Sequence, residues 1–458
     1  MYNSLAIRKP LMSQVLFVSH SKRGNRYYYD ASTRYRCIFP AEFLNTAGIT
    51  AHVVHVKDLK KIDLSGYTHL IAHRPQDSFR LRRYLKKADL LGIRCIVDFD
   101  DLLFRPDLAA ESPSVLSGTM DLRTAQRENS AYLKALRRFR YCWVSTDRLK
   151  AHAEQAAPGI QVDVCYNQMS ARWTALSTPV AASERMRNKV IRYMPGTAHH
   201  RQDFARIQKV LVNILETHPD IRLEVMGELE VDERAFPAGQ FSRLPYVSYD
   251  ELPEFIASSW LTIAPLEDTE FNRCKSGLKF WESGIFGVPV ICSPLPDMER
   301  FANDGLIMAS EPEAWPNVIS QLCDAGTYEK CSADTREKAL GAVITAATDI
   351  RASLLGRSLT PSERPALSAA QLQNQHIHMC AKFGPRWVAD ALNPTAKHHH
   401  PINALKPEEL SQGCKDTASF RIKSDSHYKN RSTTRRKLRK LIRNPRLFFI
   451  DMLKNFSN

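Results

Sequence analysis

FNRCKSGLKFWESGIFGVPVICSP, residues Phe271 to Pro294, is the stretch that decides the fold. Its second half turns at Gly287 and Pro289 into a short apolar run, PVICS at 289–293, of the kind that forms a strand buried on both faces. Its first half has helical spacing. A helix from about Ser276 to Phe286 would set Lys275, Lys279 and Glu282 at spacings of four and three, on one face. Ser276 and Gly277 would open that helix, where free backbone N–H groups and the dipole favour a phosphate. Lysines there add charge for a diphosphate, and a carboxylate can accept hydrogen bonds from both ribose hydroxyls. A solvated Glu/Lys face gives the same spacing, so context has to separate the two.

That context lies upstream, in IRYMPGTAHHRQDF from Ile191 to Phe204. A strand ends at Gly196-Thr197 and a helix follows, with Asp203 near its start. Glycine at such a turn permits close backbone approach to a ligand, and His200 can donate to a phosphate or a sugar hydroxyl. An ordinary loop capped by Asp203 is the plainer alternative.

Working outward, short apolar runs alternate with helical stretches. Strands are expected at 15–18, 52–56, 69–73, 94–99, 141–145 and 162–166. After a polar stretch at 170–188 that reads as a linker, more follow at 190–194, 222–226, 261–265, 289–293 and 305–309. Helices are expected over 36–47, 77–91, 123–139, 203–216, 250–258 and 312–324. This alternation predicts parallel sheets covered by helices on both faces. Two Rossmann-like halves facing a cleft are the simplest arrangement, with ligands beyond the carboxyl ends of the strands. The expected divisions are a first domain over 1–175 and a second over 176–357. A flexible linker over 358–430 and a tail over 431–458 complete the chain.

The chain has 458 residues, 43% hydrophobic and 25% charged, which fits two or three globular domains and excludes a wholly disordered chain. No stretch approaches the ~18 uninterrupted apolar residues of a spanning helix. The first residues carry no long apolar core, so no signal peptide is expected. The 10 cysteines contain no C-x-x-C pair, which points to reduced, mostly buried thiols in a cytoplasmic protein and away from zinc. Of the net charge of +15, the segment from residue 363 onward holds 18 Lys/Arg against 7 Asp/Glu. A basic tail on a nearly neutral body points to a polyanionic partner.

At Tyr193, Gly196, Thr197, His200, Asp203 and Phe204, and again from Ala264 to Ser293, the sequence resembles the GT-B glycosyltransferases. The likeness is to their retaining family-four-like group, in bacterial capsule and surface polysaccharide biosynthesis. It covers residues 190–310. It implies a nucleotide-sugar donor held in the second domain, with Glu282 on the ribose. Lys275, Ser276, Gly277 and Lys279 would meet the donor phosphates. Gly196 and Thr197 join the donor-binding set, and His200, Lys275 and Lys279 form the catalytic set. Many relatives carry two glutamates eight positions apart, and the first falls here on Cys274, so the family's sugar preference does not carry over. Glu267 or Glu270 would be the substitutes.

The first half resembles the family more loosely, as an acceptor domain. Arg34 and Arg36, in TRYRCIFPAEFLNTAGI (33–49), stand at a helix entrance, suited to an anionic acceptor, to the donor diphosphate, or simply to solvent. In VDFDDLLFRP (97–106), Asp98 and Asp100 match the metal-binding D-x-D of the other main glycosyltransferase fold. GT-B enzymes generally work without a metal, so these carboxylates are expected to line the acceptor side. No cofactor is expected. The His398–His400 triplet reads as a solvated polar run.

The tail pairs Arg435, Arg436, Lys437, Arg439 and Lys440 with apolar residues that include Phe448 and Phe449. Basic residues followed by aromatics suit an interfacial helix on an anionic membrane, and nucleic acid is not an expected partner. The expected protein is a cytoplasmic glycosyltransferase held peripherally on the inner face of the plasma membrane. It would act on a lipid-linked or surface polysaccharide acceptor. The competing classes are a nucleotide-sugar epimerase of the same architecture and a non-catalytic scaffold.

Overall fold

A computed structural model describes residues 14–46, 48–170, 173, 180–195, 201–227, 229–247, 249, 251–302, 306–309 and 311–355. These all fall within one compact unit, 1–394. The expected linker and tail, with Arg435, Arg436, Lys437, Arg439, Lys440, Phe448 and Phe449, lie outside the described residues.

The first sheet has six parallel strands: β1 (Gln14–Ser19), β2 (Thr50–His55), β3 (His69–His73), β4 (Arg94–Phe99), β5 (Tyr141–Val144) and β6 (Gln161–Val164). Their order is β2-β1-β3-β4-β5-β6. Val15 to Val18 are wholly buried, because helices cover both faces of a parallel sheet. The second sheet repeats the plan with β7 (Val190–Tyr193), β8 (Arg222–Met226), β9 (Phe241–Leu244), β10 (Leu261–Ala264), β11 (Val290–Cys292) and β12 (Leu306–Met308). Its order is β12-β11-β10-β7-β8-β9, again parallel.

Several expectations are corrected. The expected linker at 170–188 ends in a helix, Ala182–Asn188. β9 is an edge strand that no apolar run announces; its pattern is half-buried and exposed throughout. The helix expected from Ser276 begins only at Leu278 and ends at Gly284. Lys275 and Ser276 therefore precede it, and Lys275 shares no helix face with Lys279 and Glu282.

A helix from Ala325 to Leu355 ties the two halves together. Near its start, Tyr328 donates to the Trp260 carbonyl at 2.7 Å and Ser332 to the Gly287 carbonyl at 2.7 Å. Near its end, Trp143 of β5 donates to Ser353 Oγ at 2.8 Å, which donates to Asp163 at 2.5 Å. One apolar cluster runs across both halves, from Phe17 and Trp143 to Phe280, Trp281 and Ile350.

Candidate active site at the seam between the two sheets

Register sets the first wall of the site. Ser19 of β1 pairs with His73 of β3, and His73 pairs with Asp98 of β4, so three polar side chains line up at the carboxyl edge of the sheet. The next layer comes from Arg34–Ile38, a π-helical turn, a form that often marks functional sites. It turns Arg36 inward. Arg36 Nε donates to both Asp98 oxygens at 3.2 Å, Nη2 closes the ion pair, and Nη1 meets the Cys165 carbonyl and Asn167 Oδ1. Arg36 is 3% exposed and Asp98 0%. Arg36 is therefore not an exposed residue at a helix entrance: it and Asp98 neutralise each other inside the wall.

His73 extends this wall outward. Its Nδ1 lies 2.6 Å from Asp98 Oδ2, its Nε2 2.7 Å from Ser32 Oγ, and Ser32 donates to Asp100 at 2.7 Å. Burial would raise the Asp98 pKa, but Arg36 and His73 outweigh it and hold the carboxyl below its ordinary value. Asp100 is lowered likewise against burial, chiefly by Arg74. Arg74 has a left-handed backbone, φ 48°, unusual for a side-chain-bearing residue. Its N–H donates to the Asp98 carbonyl at 2.9 Å and its guanidinium grips Asp100 and Asp101, which together hold that conformation. Asp98 and Asp100 are thus arginine-paired acids at the carboxyl edge of the first sheet.

The second wall is the loop after β10. Thr269 caps a short turn, Glu270–Arg273, by accepting from Asn272 N–H at 3.1 Å. This turn is clamped to the first half. Arg148 donates to both Glu270 oxygens at 2.6 and 2.9 Å, and His152 Nε2 lies 2.7 Å from Oε1. The Glu270 N–H meets Glu111 at 2.5 Å, and Thr146 donates to the Cys274 carbonyl at 3.0 Å. Cys274 packs with Phe271 into the first half's apolar cluster, and burial pushes its thiol pKa well up. Glu270 is committed to the clamp. Among the described residues His152, Glu270 and Cys274 form a group with metal-ligand atoms within 4.8 Å. Arg148 on Glu270, and Arg105 at 2.8 Å from His152 Nδ1, make it a charge clamp.

Beyond Cys274 the walls join. Asn167 donates to Ser276 Oγ at 2.8 Å, completing a line Asp98–Arg36–Asn167–Ser276. The Gly277 N–H, expected to be free for phosphate, donates to Asp297 Oδ2 at 2.6 Å. Burial raises the Asp297 pKa, with Arg300 at 2.8 Å opposing. Glu282, 4% exposed, accepts from Lys279 Nζ at 2.8 Å and from the buried Tyr35 hydroxyl of the π turn. Burial, then Glu282, pushes the Tyr35 pKa well above its ordinary value, so the phenol keeps its proton. The Lys275 ammonium lies 5.7 Å from the Phe271 ring centre. The Arg34 guanidinium lies 4.1 Å over Tyr249, so it stacks instead of standing in solvent.

The structure therefore brings Ser276, Gly277, Lys279 and Glu282 together and connects them to Arg36, Asp98 and Asp100. Gly196, Thr197 and His200 lie outside the described residues. Asp203 is no simple cap: it is buried and accepts from the Glu267 N–H at 2.6 Å. Sequence reading misses Tyr35, His73, Asn167, Arg74 and Asp297. Tyr35 lies between the two singled-out arginines, and His73 ends an apolar strand.

No known family profile matches the chain, and no curated protein matches it. Solved structures do. Anabaena HepE, crystallised with UDP and glucose, superposes with a TM-score of 0.52 at 13% identity, over 75% of this chain and 100% of that one. Sucrose-phosphate synthase from Thermosynechococcus elongatus gives 0.53 at 12%, over 75% and 98%. The chain has the GT-B fold. In that GT-B frame, the seam just described is the cleft between the two Rossmann-like domains.

Proposed function

We propose that the protein is a glycosyltransferase that moves a sugar from a nucleotide-sugar donor to a lipid-linked or surface polysaccharide acceptor. The observation that carries this is the placement of Ser276, Lys279 and Glu282 after β10, with Ser276 tied through Asn167 and Arg36 to Asp98 and Glu282 tied to Tyr35 of the first half. The GT-B fold supports it, and HepE, of that fold, has been crystallised with UDP-glucose. Glu282 would hold the ribose. Lys275 and Lys279, with Gly196, Thr197 and His200, would stabilise the departing diphosphate, an electrostatic contribution that is often the largest in catalysis. Retention of configuration follows the family resemblance.

The basic tail would place the enzyme on the cytoplasmic face of an anionic membrane, near a lipid-linked acceptor. No helix of the described residues is long and apolar enough to cross a membrane.

The test is incubation of the purified protein with a panel of nucleotide sugars, followed by chromatography. Release of nucleoside diphosphate with transfer or hydrolysis supports the proposal. A changed but intact nucleotide sugar would instead identify an epimerase, and no turnover with any donor would identify a scaffold.

A further inference from the structure

The helix Phe79–Leu90, which joins β3 to β4, has an outward face unlike the rest of the surface. Leu81, Tyr84 and Ala88 are buried and fix which side faces the core. Among the described residues six large hydrophobic side chains are exposed. Three belong to this helix and its cap: Phe79 at 76%, Leu90 at 78% and Leu91 at 44%. At 3.6 residues per turn, Leu90 projects about 20° from Phe79, in the middle of the outward face. Arg82 and Lys86 flank this apolar centre on one side, Arg83 and Lys87 on the other, and Arg80 lies farther round. All five are exposed, against one exposed acid, Asp89. Among the described residues, Arg82 is the one of the five with a carboxylate within 4 Å, Asp77 at 3.8 Å.

We infer that this face docks on an anionic lipid bilayer, with Phe79 and Leu90 entering the headgroup boundary and the flanking cations meeting lipid phosphates. An apolar strip bordered on both sides by Lys and Arg is the pattern of an interfacial helix. The charge is complementary to an anionic leaflet. Five residues separate the end of β3 at His73 from the start of the helix, on the edge of the sheet that carries Asp98 and Asp100. The inference is independent of the tail and of the donor site.

The test uses the full chain on vesicles of phosphatidylcholine with 30% phosphatidylglycerol (~30% anionic lipid, so that each cation counts), and on phosphatidylcholine alone. Three full-length variants are compared: Arg83→Gln/Lys86→Gln/Lys87→Gln, Phe79→Ser/Leu90→Ser, and Arg435→Gln/Arg436→Gln/Lys437→Gln in the tail. Each cation near an anionic leaflet changes partitioning about fivefold, so the helix triple variant should bind about 100-fold more weakly. The serine variant should lose binding at least about tenfold. Because the five helix side chains are exposed, the unfolding temperatures of the two helix variants should be unchanged. Phe79→Trp adds a local readout: brominated lipid should quench a fluorescence component that wild type lacks. Unchanged partitioning of both helix variants, with no quenching at position 79, would overturn the inference whatever the tail variant does. Helix-dependent binding to RNA but not to vesicles would also overturn it. Loss confined to the tail variant would leave the tail as sole anchor and refute this face.

Discussion

Removing one hydroxyl tests how the proposed donor site is held. Both oxygens of Glu282 are taken, one by Lys279 and one by Tyr35 from the opposite half. On the proposed reading, a nucleotide whose ribose takes the Glu282 oxygen held by Tyr35 competes with the Tyr35 hydroxyl. A hydrogen bond to a charged group contributes about 1.5–3 kcal/mol. Tyr35→Phe removes that bond from the free protein only, so nucleotide affinity should rise, at about 1.4 kcal/mol per tenfold. Allowing for water that enters beside Glu282, the expected gain is about tenfold. The same change should lower the unfolding temperature by about 3–10 °C, since 1 kcal/mol moves a domain of 150–250 residues by about 2–4 °C. Calorimetric titration of nucleoside diphosphates into wild type and variant measures the first effect, and scanning fluorimetry the second. Affinity that is unchanged or weaker in Tyr35→Phe would refute the reasoning, because the hydroxyl would then be neutral or a ligand contact.

Three further outcomes follow from the packing. Asp98→Asn leaves Arg36 buried without its counter-charge, and breaking such a pair costs about 3–5 kcal/mol; a denaturant midpoint within error of wild type would contradict the assignment. Gly284 faces the Ala339 Cβ, which a new Cβ would meet at 2.6 Å, so Gly284→Ala should cost about 1–3 kcal/mol by overpacking, measured in the same way. Acid should destabilise the protein in two windows. Burial lowers His20 from 6.5 to about 3, so the unfolded chain binds the extra proton and stability falls as pH drops from 6.5 towards 3. Hydrogen bonding to Arg148, with His152, lowers Glu270 from 4.5 to about 2, so its contribution is present above 4.5 and is lost as pH falls towards 2. Denaturation midpoints between pH 7 and 3 check this, and Glu270→Gln should flatten the curve below 4.5.

What the sequence shows and what it hides have physical causes. VLFV and PVICS read as strands because a parallel strand buried on both faces must be apolar throughout. FSRL does not, because β9 lies at a sheet edge with exposed side chains. The motif from Lys275 to Glu282 was legible as chemistry, yet its geometry depends on distant residues. Asp297, 20 positions away, takes the Gly277 N–H, and Tyr35 takes a Glu282 oxygen from the other half. Arg36 looks like a solvent-facing arginine at a helix entrance. A π turn rotates it inward, and Asp98, 62 positions on, neutralises it. Such pairings are fixed by tertiary register, which local periodicity does not carry. His73 is the clearest case: in HLIAH it reads as the end of an apolar strand, and only its alignment between Ser19 and Asp98 makes it part of a polar wall.

The most direct test of the central claim is calorimetric titration of UDP, GDP, CMP, dTDP and ADP into wild type and Glu282→Ala. The account predicts binding of one nucleotide at one site per chain, with affinity at least about tenfold lower in the variant, as loss of a charged hydrogen-bond acceptor requires. Binding of none of the five, or equal binding by the two proteins, would contradict a donor site built on Glu282.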